Sequence, residues 1–161
     1  MNRFMQRAIK EARRGMKRQH GGAFGAVLVR NGKILASSHN TVLKYHDSTC
    51  HAEINVIRKV SRKFKDYDLS DCEMYTTGKP CKMCEGAINW AKIKKVYYGN
   101  SYKDAYNMGF NEVIGNNKDL VFERIESMQT SKLIEEWNNS KKKKNLLIMF
   151  DIFSTNIYSI Q

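Results

Sequence analysis

Apolar residues recur at intervals of three and four through Phe4, Met5, Ala8, Ile9, Ala12 and Met16, which predicts an amphipathic helix over residues 2–18. His20-Gly21-Gly22 ends it. Residues 24–30 (FGAVLVR) and 33–38 are apolar runs of strand length joined by Asn31-Gly32, a strong two-residue hairpin signal. Residues 40–50 are polar and irregular and read as a loop that delivers His51 to the start of a second long helix. In that helix Ile54, Ile57 and Val60 form the buried stripe while Arg58, Lys59 and Arg62 face out. Residues 72–77 read as a third strand, Gly78-Lys79-Pro80 as a turn, and a helix beginning near Cys81 buries Ala87, Ile88 and Ala91 before a fourth strand at 96–99. Helix, strand, helix, strand in that order predicts a parallel strand pair with helices packed on the sheet.

Beyond Asn100 the pattern weakens. Residues 104–108 read as one helical turn, 120–125 as a fifth strand, and 131–144 as a helix carrying Leu133, Ile134 and Trp137. Residues 145–161 are apolar and rich in β-formers, an aggregation hazard if exposed, and read as a tail that adds a strand, covers a neighbour or is poorly ordered, alternatives the sequence does not separate. The expected organisation is one domain over residues 1–144 followed by that tail, with no internal repeat.

Composition narrows the class. The 161 residues suffice for one domain with a core, and no stretch of 18 or more is apolar enough to span a bilayer. The N-terminus is rich in Arg and Lys and lacks the apolar core of a signal peptide, so a soluble cytoplasmic protein with no membrane partner is expected. The net charge of +12 is concentrated: residues 1–20 hold seven basic residues against Glu11, and Lys141 to Lys144 add four more. An excess confined to a terminal helix and a tail reads as solvated faces in preference to a polynucleotide groove.

The chemistry lies in His51-Ala52-Glu53 and, some thirty residues later, Pro80-Cys81-Lys82-Met83-Cys84. Cysteines three apart at a helix start share one face, so two thiolates can meet on one ion while the helix N-terminus favours their charge. His51 would be the third ligand, leaving a fourth position open as in a catalytic zinc site. Glu53, not needed as a ligand, is free to move protons between water and substrate. The alternative is a structural zinc module, which would need a fourth ligand at finger-like spacing; Cys50 adjoins His51 and Cys72 lies in a strand. Cysteine usage otherwise fits metal ligands plus two free thiols in a reducing compartment.

With those residues in place, the chain resembles the cytidine deaminase-like superfamily of zinc deaminases, and within it the bacterial guanine deaminase branch. The blocks that carry the resemblance are GGAFGAVLV (residues 21–29), Asn40, CHAEINVIRK (50–59), DCEMYTTGKPCKMCEGAINWAK (71–92) and DAYNMGF (104–110). It implies a three-layer α/β/α fold with a mixed, roughly five-stranded sheet. It also implies zinc on His51, Cys81 and Cys84, Glu53 as proton shuttle, and Glu112 as a second catalytic carboxylate. The purine pocket falls on Phe24, Asn40, Ala52 and Trp90. From the residues alone, Asn40 reads as a turn cap, Phe24 and Trp90 as core, and Glu112 as a solvated charge.

The implied reaction is hydrolytic deamination of a small purine, guanine first, and the implied assembly is a homodimer with exchanged C-terminal segments. A tRNA adenosine deaminase shares the metal motif and would account for the basic ends, but Ile88-Asn89-Trp90 matches the guanine branch better. A guanosine- or cytidine-type nucleoside deaminase is the other alternative. Three positions depart from the branch: Lys79 stands where Glu is common, Cys50 replaces a small residue, and Ser48 replaces a proline.

Overall fold

The computed structural model describes residues 2–107. Their elements run α1 (Arg3–Lys17), β1 (Gly25–Arg30), β2 (Lys33–His39), α2 (Val42–Tyr45), α3 (Ala52–Phe64), β3 (Cys72–Gly78), α4 (Lys82–Trp90), β4 (Lys95–Asn100) and α5 (Tyr102–Asn107). The expected fifth strand, the helix at 131–144, Glu112 and the tail at 145–161 lie outside the described residues. The expected helices and strands up to residue 107 are present, and the loop at 40–50 contains one helical turn, α2.

The four strands form one mixed sheet in the order β2-β1-β3-β4. β1 pairs antiparallel with β2 and with β3, whereas β3 and β4 are parallel, joined across α4. The hairpin turn is the one its sequence predicts: Asn31 and Gly32 both take positive φ (50° and 70°), the backbone a two-residue connection between right-twisted strands needs.

Because side chains alternate along a strand, β1 supplies both faces of the sheet. Val27 and Val29 point toward Ala8 of α1, with Tyr75 of β3 in the same cluster and Phe4 and Met5 packed against it. Ala26 and Leu28 point the other way, into a larger cluster with Ala52, Val56 and Val60 of α3, Met74 of β3 and Ile88 of α4. Helix, sheet and helix thus make three layers. Helix α1 comes so close to β1 that a Cβ on Gly25 would lie 2.1 Å from the Ala8 carbonyl oxygen.

The buried face of α1 is rotated from the one its apolar spacing predicts. Met16 is half exposed, while Glu11 and Gly15 are buried beside Ala8 and Ala12. Gly15 is inside because the His39 ring lies over it: a Cβ there would meet the ring at 2.7 Å. Glu11 is inside because His39 Nδ1 meets its Oε2 at 3.1 Å and Arg7 donates to its Oε1 at 3.0 Å. On α3, Val60 and Ile54 are buried and Ile57 partly so, with Val56 completing the stripe; Arg58, Lys59 and Arg62 are exposed.

Candidate metal centre

Two helix N-termini meet at one end of the sheet, and the residue capping each carries a metal-binding side chain. His51 is the N-cap of α3 and Cys81 the N-cap of α4, both with extended backbone. An N-cap side chain ordinarily accepts from the first turn of its helix, but neither of these does; instead their donor atoms gather with that of Cys84. Cys84, one turn into α4, is fully buried. Its Sγ lies 3.5 Å from His51 Nδ1, and Cys81 Sγ lies 3.6 Å from the same nitrogen. All three donor atoms fall within 4.8 Å of one another.

One imidazole and two thiols suit zinc, whose bonds of about 2.0–2.3 Å to such atoms would span a triangle of this size. The protonation of the pair fits a cation as well. The Cys81 thiol is pushed down to about 4, first by the hydrogen bond from Cys84 and also by His51, against the effect of burial. Cys84 is pushed up by the same bond, by burial and by the nearby Glu53 carboxyl. These opposite shifts favour a thiolate on Cys81, the charge a cation would be drawn to.

Glu53 sits in the first turn of α3, only 5 % exposed. Thr76 Oγ1 of β3 donates to its Oε1 at 2.9 Å, and its Oε2 lies 3.7 Å from Cys84 Sγ. Burial raises the carboxyl above its usual pKa, against the lowering effect of its own backbone N–H and of Thr76. A carboxyl that is anchored at one oxygen, with the other facing the donor cluster, and that favours protonation is equipped to carry a proton.

Of the residues expected around the substrate, Phe24 and Asn40 come to this end of the sheet. Phe24 lies against Gly78, where a Cβ would meet its ring at 3.0 Å, immediately before the Lys79-Pro80-Cys81 loop. Asn40 is buried and its Oδ1 accepts from the Val42 N–H at 3.0 Å, the turn-capping role its residue type suggested. Ala52 is fully buried between His51 and Glu53. Trp90 ends α4, six residues or about 9 Å of helix beyond Cys84, and is 78 % exposed, so it is not core.

The departures from the family pattern leave the donors untouched. Cys50 turns to Asp47, its thiol donating to Oδ2 at 3.2 Å. Lys79 is exposed, its Nζ 4.6 Å above the Tyr102 ring, and Tyr102 donates its hydroxyl to the Pro80 carbonyl beside Cys81. Burial and Glu85 push that hydroxyl up to about 12.

Three supports were not singled out in the sequence: Thr76, Tyr102 and Asn55. Asn55 Nδ2 faces the His39 carbonyl, Thr41 Oγ1 and the Cys50 carbonyl at 3.0, 2.8 and 3.1 Å, tying the loop before His51 to α3. Its signal was an amide four residues after His51 and so on the same helix face.

A mixed sheet between helices, with two thiols and an imidazole gathered at paired helix starts beside a buried carboxyl, defines the class of zinc-dependent deaminases. The chain belongs to the cytidine and deoxycytidylate deaminase family, the model of whose zinc-binding region matches residues 1–100. It is 35% identical to the guanine deaminase of Bacillus subtilis over 149 residues, covering 88% of this chain and 96% of that protein. The crystal structure of a guanine deaminase from Bacillus subtilis matches with a TM-score of 0.79 at 36% identity, over 87% of this chain and 96% of that one. The tRNA-specific adenosine deaminase of Agrobacterium fabrum is 41% identical over 96 residues, 60% of this chain and 62% of that protein.

Proposed function

We propose that this protein hydrolyses the amino group of guanine, taking up one water and releasing xanthine and ammonia. The observation that carries this reading is the breadth of the likeness to guanine deaminase, 88% of the chain, where the tRNA adenosine deaminase likeness stops at 60%. When bound by His51, Cys81 and Cys84, zinc supplies Lewis-acid activation of a water. Glu53, held at Oε1 by Thr76, would take one proton of that water at Oε2 and give it to the purine ring nitrogen, and would then move the second, from the hydroxyl added to the carbon, to the departing amine. Because Asn40 spends its oxygen on the Val42 N–H, its Nδ2 is left as a donor for the acceptor edge of a guanine, which has O6 and N7 on one side. Phe24 offers a ring for the base to lie against, and Ala52 packs tightly between the ligand and the proton carrier.

The enzyme works in the cytoplasm as a homodimer that exchanges its C-terminal segments. All four cysteines are free thiols, in keeping with a reducing compartment, and no described helix is long and apolar enough to cross a membrane. The apolar character of residues 145–161 favours burial against a partner.

The rival, deamination of adenosine in tRNA, is favoured by the +12 net charge and the higher local identity. Ammonia release from free guanine, guanosine, cytidine and tRNA separates the two. Free guanine is expected to be deaminated equally at low and high salt, since a neutral base needs no phosphate contacts. Inosine formation in tRNA with a steep salt dependence, and none from guanine, would overturn the assignment.

A further inference from the structure

β2 is an edge strand of the sheet, and α1 and α3 flank it on opposite faces. Between them lies a groove of about 680 Å³. Arg7, Arg14 and Arg18 reach into it from α1 and its C-cap, and Arg58, Lys59 and Arg62 from α3. Lys44 of α2 adds a seventh cation, and Glu11 is the one acid of the lining. That carboxylate is already engaged by Arg7 at 3.0 Å, Arg14 at 3.7 Å and His39 at 3.1 Å. Neutralising one of seven positive charges leaves the concavity strongly cationic.

The surplus is felt locally. The His20 imidazole, whose Nδ1 lies 3.0 Å from His39 Nε2, is held below its usual pKa by burial and by the neighbouring His39, Lys44, Arg18 and Arg14. Like charges brought together from three separate elements destabilise a fold through mutual repulsion, and a counter-charge in the groove relieves that repulsion. The volume lies within the ~300–1,000 Å³ of small-ligand sites. Arginine forks pair bidentately with phosphate oxygens, and five of the seven cations are arginines.

We propose that this groove binds a chain of two or three phosphates, the chemistry shared by nucleoside triphosphates and inorganic triphosphate. None of His51, Glu53, Cys81 and Cys84 lines the groove. Its phosphates lie between the arginines of α1 and those of α3, and Thr41 and Tyr45 offer hydroxyls alongside.

The test is calorimetric titration of the full zinc-loaded chain with inorganic triphosphate, ATP and GTP at about 0.15 M salt. The probe variant is Arg18→Glu with Arg62→Glu. Both side chains are exposed and make no ion pair or hydrogen bond among the described residues, so the fold is kept, as thermal denaturation would verify. Saturable binding of triphosphate that weakens at least about tenfold in the double variant is expected from reversing two contacting charges. Equal affinity for triphosphate and nucleotide assigns the site to the phosphate chain alone, and tighter nucleotide binding assigns it to a nucleotide. Absence of saturable binding up to about 1 mM, or an affinity indifferent to the double substitution, overturns the proposal. So does a single-stranded RNA that displaces triphosphate and binds more tightly, which would make the groove a polynucleotide track.

Discussion

Asn55→Ala tests whether the loop carrying Asn40 is held by a single amide. Asn55 Nδ2 has two hydrogens and serves three acceptors, the His39 carbonyl, Thr41 Oγ1 and the Cys50 carbonyl. The Cys50 carbonyl keeps a second donor, the Thr41 N–H at 2.9 Å, so the loss concentrates on His39 and Thr41. Two part-buried hydrogen bonds at about 1–1.5 kcal/mol each give about 2–3 kcal/mol. The better helix propensity of alanine returns about 0.5 kcal/mol. The expected net loss of about 2 kcal/mol corresponds to a fall in Tm of about 4–8 °C for a chain of this size.

Since Asn40 lies between two of the tethered residues, guanine turnover should show KM rising more than kcat. Circular dichroism melts and xanthine formation read the two effects. Asn55→Asp sharpens the test, because a carboxylate would set acceptor against acceptor and must be worse than alanine. A Tm within about 1 °C of wild type for Asn55→Ala, or an Asp variant more stable than the Ala variant, refutes the tether.

Glu53→Gln keeps size and all three metal donors but cannot accept a proton, so kcat should fall by at least about 10²- to 10⁴-fold with zinc content and Tm retained; Cys84→Ser should instead lower the zinc equivalent measured by metal analysis, and the opposite pattern would reverse the two roles. Glu11 lies below the usual carboxyl pKa because His39, Arg7, Ser37 and Arg14 together outweigh the raising effect of burial. A carboxyl lowered by folding contributes stability that is present above its unfolded pKa, near 4.5, and is lost as pH falls through the folded value. Glu11→Gln should therefore cost about 1–3 kcal/mol at neutral pH and flatten the acid side of the stability curve, and a variant curve running parallel to wild type contradicts this. Removal of residues 145–161 should change the oligomeric state or turnover, and an unchanged dimer with unchanged kcat would show the tail to be dispensable.

What the sequence makes legible here is what neighbours along the chain decide. The spacing of Phe4, Met5, Ala8 and Ala12 suffices for α1, Asn31-Gly32 for the hairpin, and Cys81-x-x-Cys84 at a helix start for two donors on one face. The third donor is placed by an equally local fact, that His51 opens α3, and the parallel β3-α4-β4 unit then brings the two helix starts together. Other features depend on residues far apart in the chain and leave no periodic trace. Glu11 and Gly15 are buried in place of Met16 because His39, 28 and 24 positions on, packs on one and bonds the other. Trp90 looks like core by residue type, yet it ends α4 with most of its surface exposed.

The charge pattern shows the same limit most clearly. Arg7, Arg14 and Arg18 belong to a terminal helix whose basic excess reads as solvated, and Arg58, Lys59 and Arg62 to the outward face of another, and nothing within either helix relates them. The relation comes from the sheet: β2 is its edge, and the two helices lie on its opposite faces. Both polar stripes therefore overhang the same strand and close on one groove. A tally of charge along the chain gives a basic terminus and an outward-facing helix, and only the strand order turns them into a single concave field.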